Sequence, residues 1–260
     1  CLDSVEKDNS EYDFEYLFYI NNNEDKTIEK LNDKKYNIIY EDLDDTFLKK
    51  DRFTKLAIFR QKLLEEAKKK VFDYMIMLDT DIMFNGKMFK ETFKIIEKED
   101  LEITGLNTIA YPLPFFYDWA PLFKDKFSII KTIFQSFCSN NLIERDNFFN
   151  GFLIFKNTEN FRKKINYNND NNIDTKCEHE ILCEKIRNAN LKINIIPNIT
   201  PLYTERSNSY YFDTGEEKVN QYENLYKKIE INDIDYRSLN FYFVILCCIL
   251  ISIILYIILK

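Results

Sequence analysis

The chain has 260 residues, 45% of them hydrophobic and 30% charged, with a formal net charge of −7 and an isoelectric point near 5.1. That length allows one sizeable α/β domain or two small ones with a developed core. The acidic balance argues against a nucleic-acid partner, which would call for a basic patch or stripe along the phosphate backbone.

In chain order, Cys1 opens partway into a helical pattern, and the chain reads as a fragment. Short apolar runs then alternate with helical ones. Strands are expected at 15–20, 36–40, 74–78, 101–106, 149–155 and 191–196. Helices are expected at 26–32, 52–71, 87–98, 159–165 and 178–190. This β-α-β rhythm predicts a sheet covered by helices on both faces. The proline- and aromatic-rich segment YPLPFFYDWAPL, 111–122, reads as a loop able to form a binding wall, and INYNNDNNID, 165–174, as a solvated loop.

Six cysteines stand at 1, 138, 177, 183, 247 and 248 without the CxxC spacing of a zinc cage. Cys177 and Cys183 admit a disulfide, with buried thiols the expected state. The run FYFVILCCILISIILYIIL, 241–259, carries no charge. As a helix it would span about 28 Å at about 1.5 Å per residue, which predicts a C-terminal transmembrane anchor over 239–260 after a catalytic domain over 1–238. Lys227, Lys228 and Arg237 precede the run and Lys260 follows it, a bias toward a cytoplasmic domain. A lumenal placement, in an endomembrane or virus-associated setting, leaves the sequon Asn198-Ile199-Thr200 usable.

Two features carry chemistry. In the helix over 52–71, Phe53, Leu56, Ala57, Leu63, Leu64, Ala67 and Val71 form one apolar stripe with Arg60 in its middle. A guanidinium there is costly unless it meets an anion, either a protein carboxylate or a ligand phosphate, or snorkels to the surface. The second feature is YMIMLDTDIMF, 74–84, an apolar strand that runs into Asp79 and Asp81. Two carboxylates at the carboxyl edge of a sheet suit a hard cation, Mn²⁺ or Mg²⁺, shared with diphosphate oxygens. An apolar strand ending in Asp-x-Asp is also the signature of haloacid dehalogenase-like phosphatases, although there the motif opens the domain.

The blocks YINNNEDKTIEKLND (19–33), RFTKLAIFRQKLLEEA (52–67), LDTD (78–81), FYDWA (116–120), FNGFLIFK (149–156) and CEHEILCEKIRNANLKINIIP (177–197) follow one another in order. As a set they resemble nucleotide-sugar glycosyltransferases of the GT-A fold, in particular the capsule-associated mannosyltransferase type and its viral relatives, over most of residues 12–203. The resemblance implies a Rossmann-like, mixed but mainly parallel sheet flanked by helices, and a metal-dependent transfer of a hexose to a glycan or glycoprotein. It implies Asp81 as metal ligand, and Asp79 as metal ligand or ribose contact. Arg52 and Arg60 would flank the donor phosphates, with Asp25 near the nucleotide base. Asp118 and Trp119 would lie over acceptor or sugar, and Gly151 would let the backbone approach the donor. Glu178 would be the general base of an inverting reaction, with His179 as an additional metal ligand or a support for that base. A retaining reaction would need no such base. The chain departs from the family in lacking a recognisable first, nucleotide-contacting strand and in having one glycine in FNGFLIFK where relatives often have two. The first departure keeps open a non-catalytic membrane-bound scaffold.

Overall fold

The computed structural model describes residues 2–22, 25–80, 82–111, 115–116, 141–149, 151–168, 177–197, 199 and 201–204. Seven helices are described: α1 (Leu2–Asp8), α2 (Thr27–Asp33), α3 (Asp45–Leu48), α4 (Arg52–Lys68), α5 (Gly86–Glu99), α6 (Glu159–Lys164) and α7 (Glu178–Asn188). The strands are β1 (Leu17–Asn21), β2 (Asn37–Glu41), β3 (Tyr74–Leu78), β4 (Ile82–Met83), β5 (Ile103–Leu106), β6 (Ile109–Tyr111), β7 (Phe115–Phe116), β8 (Ile143–Arg145), β9 (Phe152–Lys156), β10 (Ile193–Ile196) and β11 (Leu202–Thr204).

The central sheet runs β3-β9-β5-β10-β8. β9 is antiparallel to both β3 and β5, β10 is parallel to β5, and β8 is antiparallel to β10. Three of the five strands, β3, β5 and β10, therefore point one way and β8 and β9 the other, a mixed sheet of the kind the resemblance implies. Side chains alternate across it. On one face Met77, Ile103, Leu153, Phe155, Ile193 and Ile195 pack with Ala57 and Leu64 of α4, Phe161 of α6 and Ile181, Leu182 and Ile186 of α7. On the other, Leu106, Phe152, Ile154 and Ile196 pack with Val5 of α1 and Phe89, Phe93 and Ile96 of α5. Each fully buried Phe, Leu or Ile contributes about 1.5–3 kcal/mol, so the two layers account for the fold's position without any single dominant contact.

Local chemistry sets the helix starts. Asp51, Asn85 and Thr158 each accept a hydrogen bond from the backbone N–H three residues on, at 3.0, 2.8 and 3.2 Å, capping α4, α5 and α6. α1 presses so closely on α5 that a Cβ on Gly86 would lie 2.4 Å from Asp8 Cβ, and Asn9 locks the contact by donating to the carbonyl of Gly86 at 3.0 Å. A separate parallel pair, β1-β2, lies beside α4, where Tyr19 stacks on Phe59 with centroids 4.7 Å apart.

A third sheet decides where the site lies. β4, β11 and β6 pair in that order, with β7 beyond β6. These strands are the direct continuations of β3, β10 and β5 respectively, so the chain crosses three times from the central sheet to this smaller one. The crossings leave the central sheet at Asp79, at Asn107 and Thr108, and at Pro197, all along the same carboxyl edge.

Several expectations need correction. The helix over 52–71 ends at Lys68, because Arg162 takes the carbonyls of Lys68 and Lys70 at 2.7 and 3.0 Å and turns the chain away. Val71 is consequently 99% exposed rather than on the apolar stripe, and Phe53, in the first turn, is exposed as well. The segment from residue 165 is not wholly solvated: Ile165 and Tyr167 are buried, and the backbone of Tyr167 donates to Gln61 of α4. The period-two spacing of those two apolar residues puts them in the core and their asparagine neighbours outside. Phe149, expected within a strand, precedes β9 and packs in the core instead. Cys177 and Cys183 are free thiols as expected, but only Cys183 is buried and Cys177 is half-buried. Among the described residues no helix is long and apolar enough to cross a membrane. The run 241–259, read above as an anchor, lies outside those residues.

Candidate active site

The carboxyl edge of the central sheet brings together residues far apart in sequence. β3 delivers Asp79, whose backbone N–H donates to the carbonyl of Gly151 at 2.9 Å, one step beyond the Leu78–Phe152 pair. Gly151 has φ 75°, a conformation that costs a side-chain-bearing residue about 1–2 kcal/mol, and it turns the chain into β9 at that point.

Arg60 projects from α4 toward this edge. Its Nη2 donates to Asp79 Oδ1 at 2.8 Å, and its Nε lies 3.8 Å from Glu178 Oε1 at the first turn of α7. The guanidinium sits 4.8 Å from the centroid of Phe149. Arg60 and Asp79 side chains are 11% and 16% exposed and that of Glu178 is 3% exposed, so the group is nearly desolvated. The anion demanded by Arg60 in the apolar stripe is thus a pair of protein carboxylates. A ligand phosphate is not needed to explain its place. Burial works against the Arg60 charge and is the largest single influence, but the Asp79 carboxylate, its hydrogen bond to Arg60, and the neighbouring Tyr167 and Glu178 together outweigh it and hold the pKa above the usual value.

His179 follows Glu178 directly. Its ring stacks on Phe149, centroids 3.7 Å apart and planes within 15°, and its Nε2 lies 3.4 Å from Glu178 Oε1. Burial first, then the charges of Arg60 and Arg52, push the His179 pKa well below its ordinary value, so the ring is neutral. Glu178 moves the other way: desolvation raises its pKa, with Arg60 opposing. Two carboxylates and one guanidinium leave the buried group one negative charge in excess, and a proton on Glu178 removes it. The arrangement is that of a carboxylate ready to accept a proton.

The remaining predicted residues fall less centrally. Arg52 is the first residue of α4, exposed, and near enough for its charge to act on His179. Asp25 is exposed at the β1–α2 turn, where its Oδ1 accepts from the Thr27 N–H at 2.7 Å. Asp81, Asp118 and Trp119 lie outside the described residues. Among the described residues no three His, Cys, Asp or Glu side chains converge as a metal-holding group. One participant had no signal in the sequence: Phe149, which carries both the Arg60 and the His179 contacts. Phe149 stands inside FNGFLIFK, and an aromatic ring in an apolar run looks like any other core residue until its neighbours are known.

No protein-family model matches the chain, and no curated protein does. Among solved structures, the crystal structure of S. aureus TarS 1-349 is similar over 78% of this chain and 56% of that one, at 11% identity and a TM-score of 0.48. The chain thus spans little more than half the length of that crystallised chain. A197 from STIV is similar over 74% of this chain and 95% of that one, at 12% identity and a TM-score of 0.35.

Proposed function

We propose that the chain is a glycosyltransferase of GT-A type that moves a hexose from a nucleotide sugar to a hydroxyl of a glycan or glycoprotein, inverting the anomeric carbon, with Glu178 as general base. The observation that carries this reading is the desolvated Glu178–Arg60–Asp79 group at the carboxyl edge of an α/β sheet, where such sheets bind ligands. The ordered sequence blocks at 19–33, 52–67, 78–81, 149–156 and 177–197 support the same class.

In this reading the acceptor oxygen attacks the anomeric carbon, the bond from that carbon to the diphosphate oxygen breaks, and the acceptor proton passes to Glu178. Arg60 steadies Glu178 and Asp79 from one side, and neutral His179, fixed by its stack on Phe149, supports Glu178 from the other. Asp79 orients the donor at the sheet edge, and Gly151 admits it closely. With 16% of its side chain exposed at that edge, Asp79 fits one hard-oxygen ligand. Mn²⁺ or Mg²⁺, held by Asp79 and Asp81, would supply neutralisation of the departing diphosphate. His179 enters as a support for the base rather than a ligand, because its ring is enclosed against Phe149 and faces Glu178. The apolar run 241–259 extends the proposal to acceptors at a membrane surface.

The test is thermal unfolding of the full chain against UDP, GDP and CMP, each with and without Mn²⁺. A ligand that binds only the folded state raises the melting temperature. A metal-dependent rise with one nucleotide is expected, and no rise with any of them would overturn the reading.

A further inference from the structure

Asn107 directly follows β5, two strands across the central sheet from Asp79, and is completely buried. Neither its Oδ1 nor its Nδ2 has a hydrogen-bond partner among the described residues. Among those residues it is the only side chain with two buried polar atoms in that condition. Buried amides are almost always satisfied, so an amide with both ends unsatisfied needs a reason. Packing does not supply one, because a leucine would occupy the same volume without the penalty.

The strand register shows what Asn107 stands beside. Gly105 pairs with Leu153 of β9, and Leu78 of β3 pairs with Phe152. Extending both ladders toward the carboxyl edge sets Asp79 and Asn107 on either side of Gly151, in one row across three strands. Side-chain alternation gives them the same face: Met77 belongs to the layer beneath α4 and α7, a Cβ on Gly105 would meet Phe148 and Ile193 of that layer, and Asp79 and Asn107 lie two residues further on from each. That is the face from which Arg60 and Glu178 come. Strand spacing separates the Asp79 and Asn107 backbones by about 10 Å, with Gly151 presenting no side chain between them. Both residues also sit at crossings into the smaller sheet, Asp79 leading to β4 and Asn107 with Thr108 to β6. At the second crossing the Thr108 N–H donates to the carbonyl of Leu106 at 3.0 Å, a tight turn with Asn107 at its centre.

We infer that Asn107 is a specificity-determining residue that hydrogen-bonds the hydroxyls of the transferred sugar. The carboxamide is uncharged and offers both an acceptor and donors, which matches adjacent hydroxyls, each both donor and acceptor. A phosphate would call for cationic donors, and the Asn107 amide is uncharged. The nucleotide end of the donor belongs elsewhere, since Asp25, the residue expected near the base, is on the turn after β1, outside the central sheet. This inference rests on the glycosyltransferase reading above.

The experiment compares wild type with Asn107→Leu by calorimetry and thermal unfolding on the full chain with Mn²⁺. The probes are UDP-glucose, UDP-N-acetylglucosamine and GDP-mannose, each against its parent nucleotide, UDP or GDP. The expected result is a variant at least as stable as wild type that binds the parent nucleotide unchanged. Its affinity for the productive sugar nucleotide falls about tenfold or more, the loss expected for missing hydrogen bonds. Equal affinity of both proteins for that sugar nucleotide would overturn the role of Asn107 and leave the glycosyltransferase reading standing. If folded wild type bound no nucleotide and no sugar nucleotide, both would fall together. Asn107→Asp adds a second arm: a folded variant that gained affinity for the sugar nucleotide would also overturn the assignment, because a buried carboxylate keeps the acceptor, loses the donor and repels the diphosphate. Should Asn107→Leu fail to fold, the amide would be structural, and the inference would be wrong.

Discussion

Replacing Arg60 by methionine keeps the aliphatic length of the side chain and removes the charge that Asp79 and Glu178 share. The contacts at 2.8 and 3.8 Å are each worth about 4 kcal/mol or somewhat more at the effective dielectric that suits protein sites, before the desolvation of all three groups is charged against them. What remains on breaking a buried group of this kind is about 3–5 kcal/mol, since two carboxylates are left without a cation. That is a large share of the about 5–15 kcal/mol typical of a whole domain. The loss also has a pH signature. Arg60 lowers the Glu178 pKa, so its removal raises that already raised value further above the ordinary 4.5. A carboxyl whose folded pKa exceeds its unfolded one destabilises the fold as pH climbs through 4.5 toward the folded value, because the folded state then holds the extra proton. The deficit of Arg60→Met should therefore be greatest at pH 7 and smaller at pH 5. Urea unfolding followed by circular dichroism at both pH values measures it. A loss below about 1 kcal/mol at pH 7, or one identical at the two pH values, would refute the ion-pair account.

Glu178→Gln should reduce transfer by at least about 100-fold, the usual weight of a general base, while stability at pH 7 holds or rises because a desolvated carboxylate becomes a neutral amide; near-normal turnover would remove Glu178 from the mechanism. His179 is held neutral, so its contribution to stability is full above 6.5 and is lost as pH falls below it, by up to about 1.4 kcal/mol per pH unit. Melting curves from pH 7.5 to 5.5 should slope accordingly for wild type and lose that component in His179→Phe; an unchanged slope would mean the ring is not the source. Gly151→Ala should cost about 1–2 kcal/mol through its φ of 75° and weaken donor binding, and a variant as stable as wild type would show that the turn tolerates a side chain.

The sequence alone determined much of the frame. The run 74–78 is apolar and ends in an aspartate, and β3 occupies those residues without displacement. The helices expected to start at 52 and 178 do so as α4 and α7, because capping and first-turn chemistry act over three or four residues and need no tertiary partner. The same pattern exposed Arg60 as a charge in the wrong place. What answered it was not legible: Glu178 is more than a hundred positions away, and only the packing of α7 beside α4 makes it a neighbour. The short strands β4, β6 and β11 were invisible for a related reason. Two or three residues carry no periodicity, and they become strands only because three chain crossings at one sheet edge bring them together. Asn107 belongs to that same class. As a letter in LNT it suggests a turn, whereas strand register places it in line with Gly151 and Asp79 and leaves its amide unsatisfied. Local chemistry thus determined where the elements begin, and long-range packing decided which side chains face one another and so where a reaction could occur.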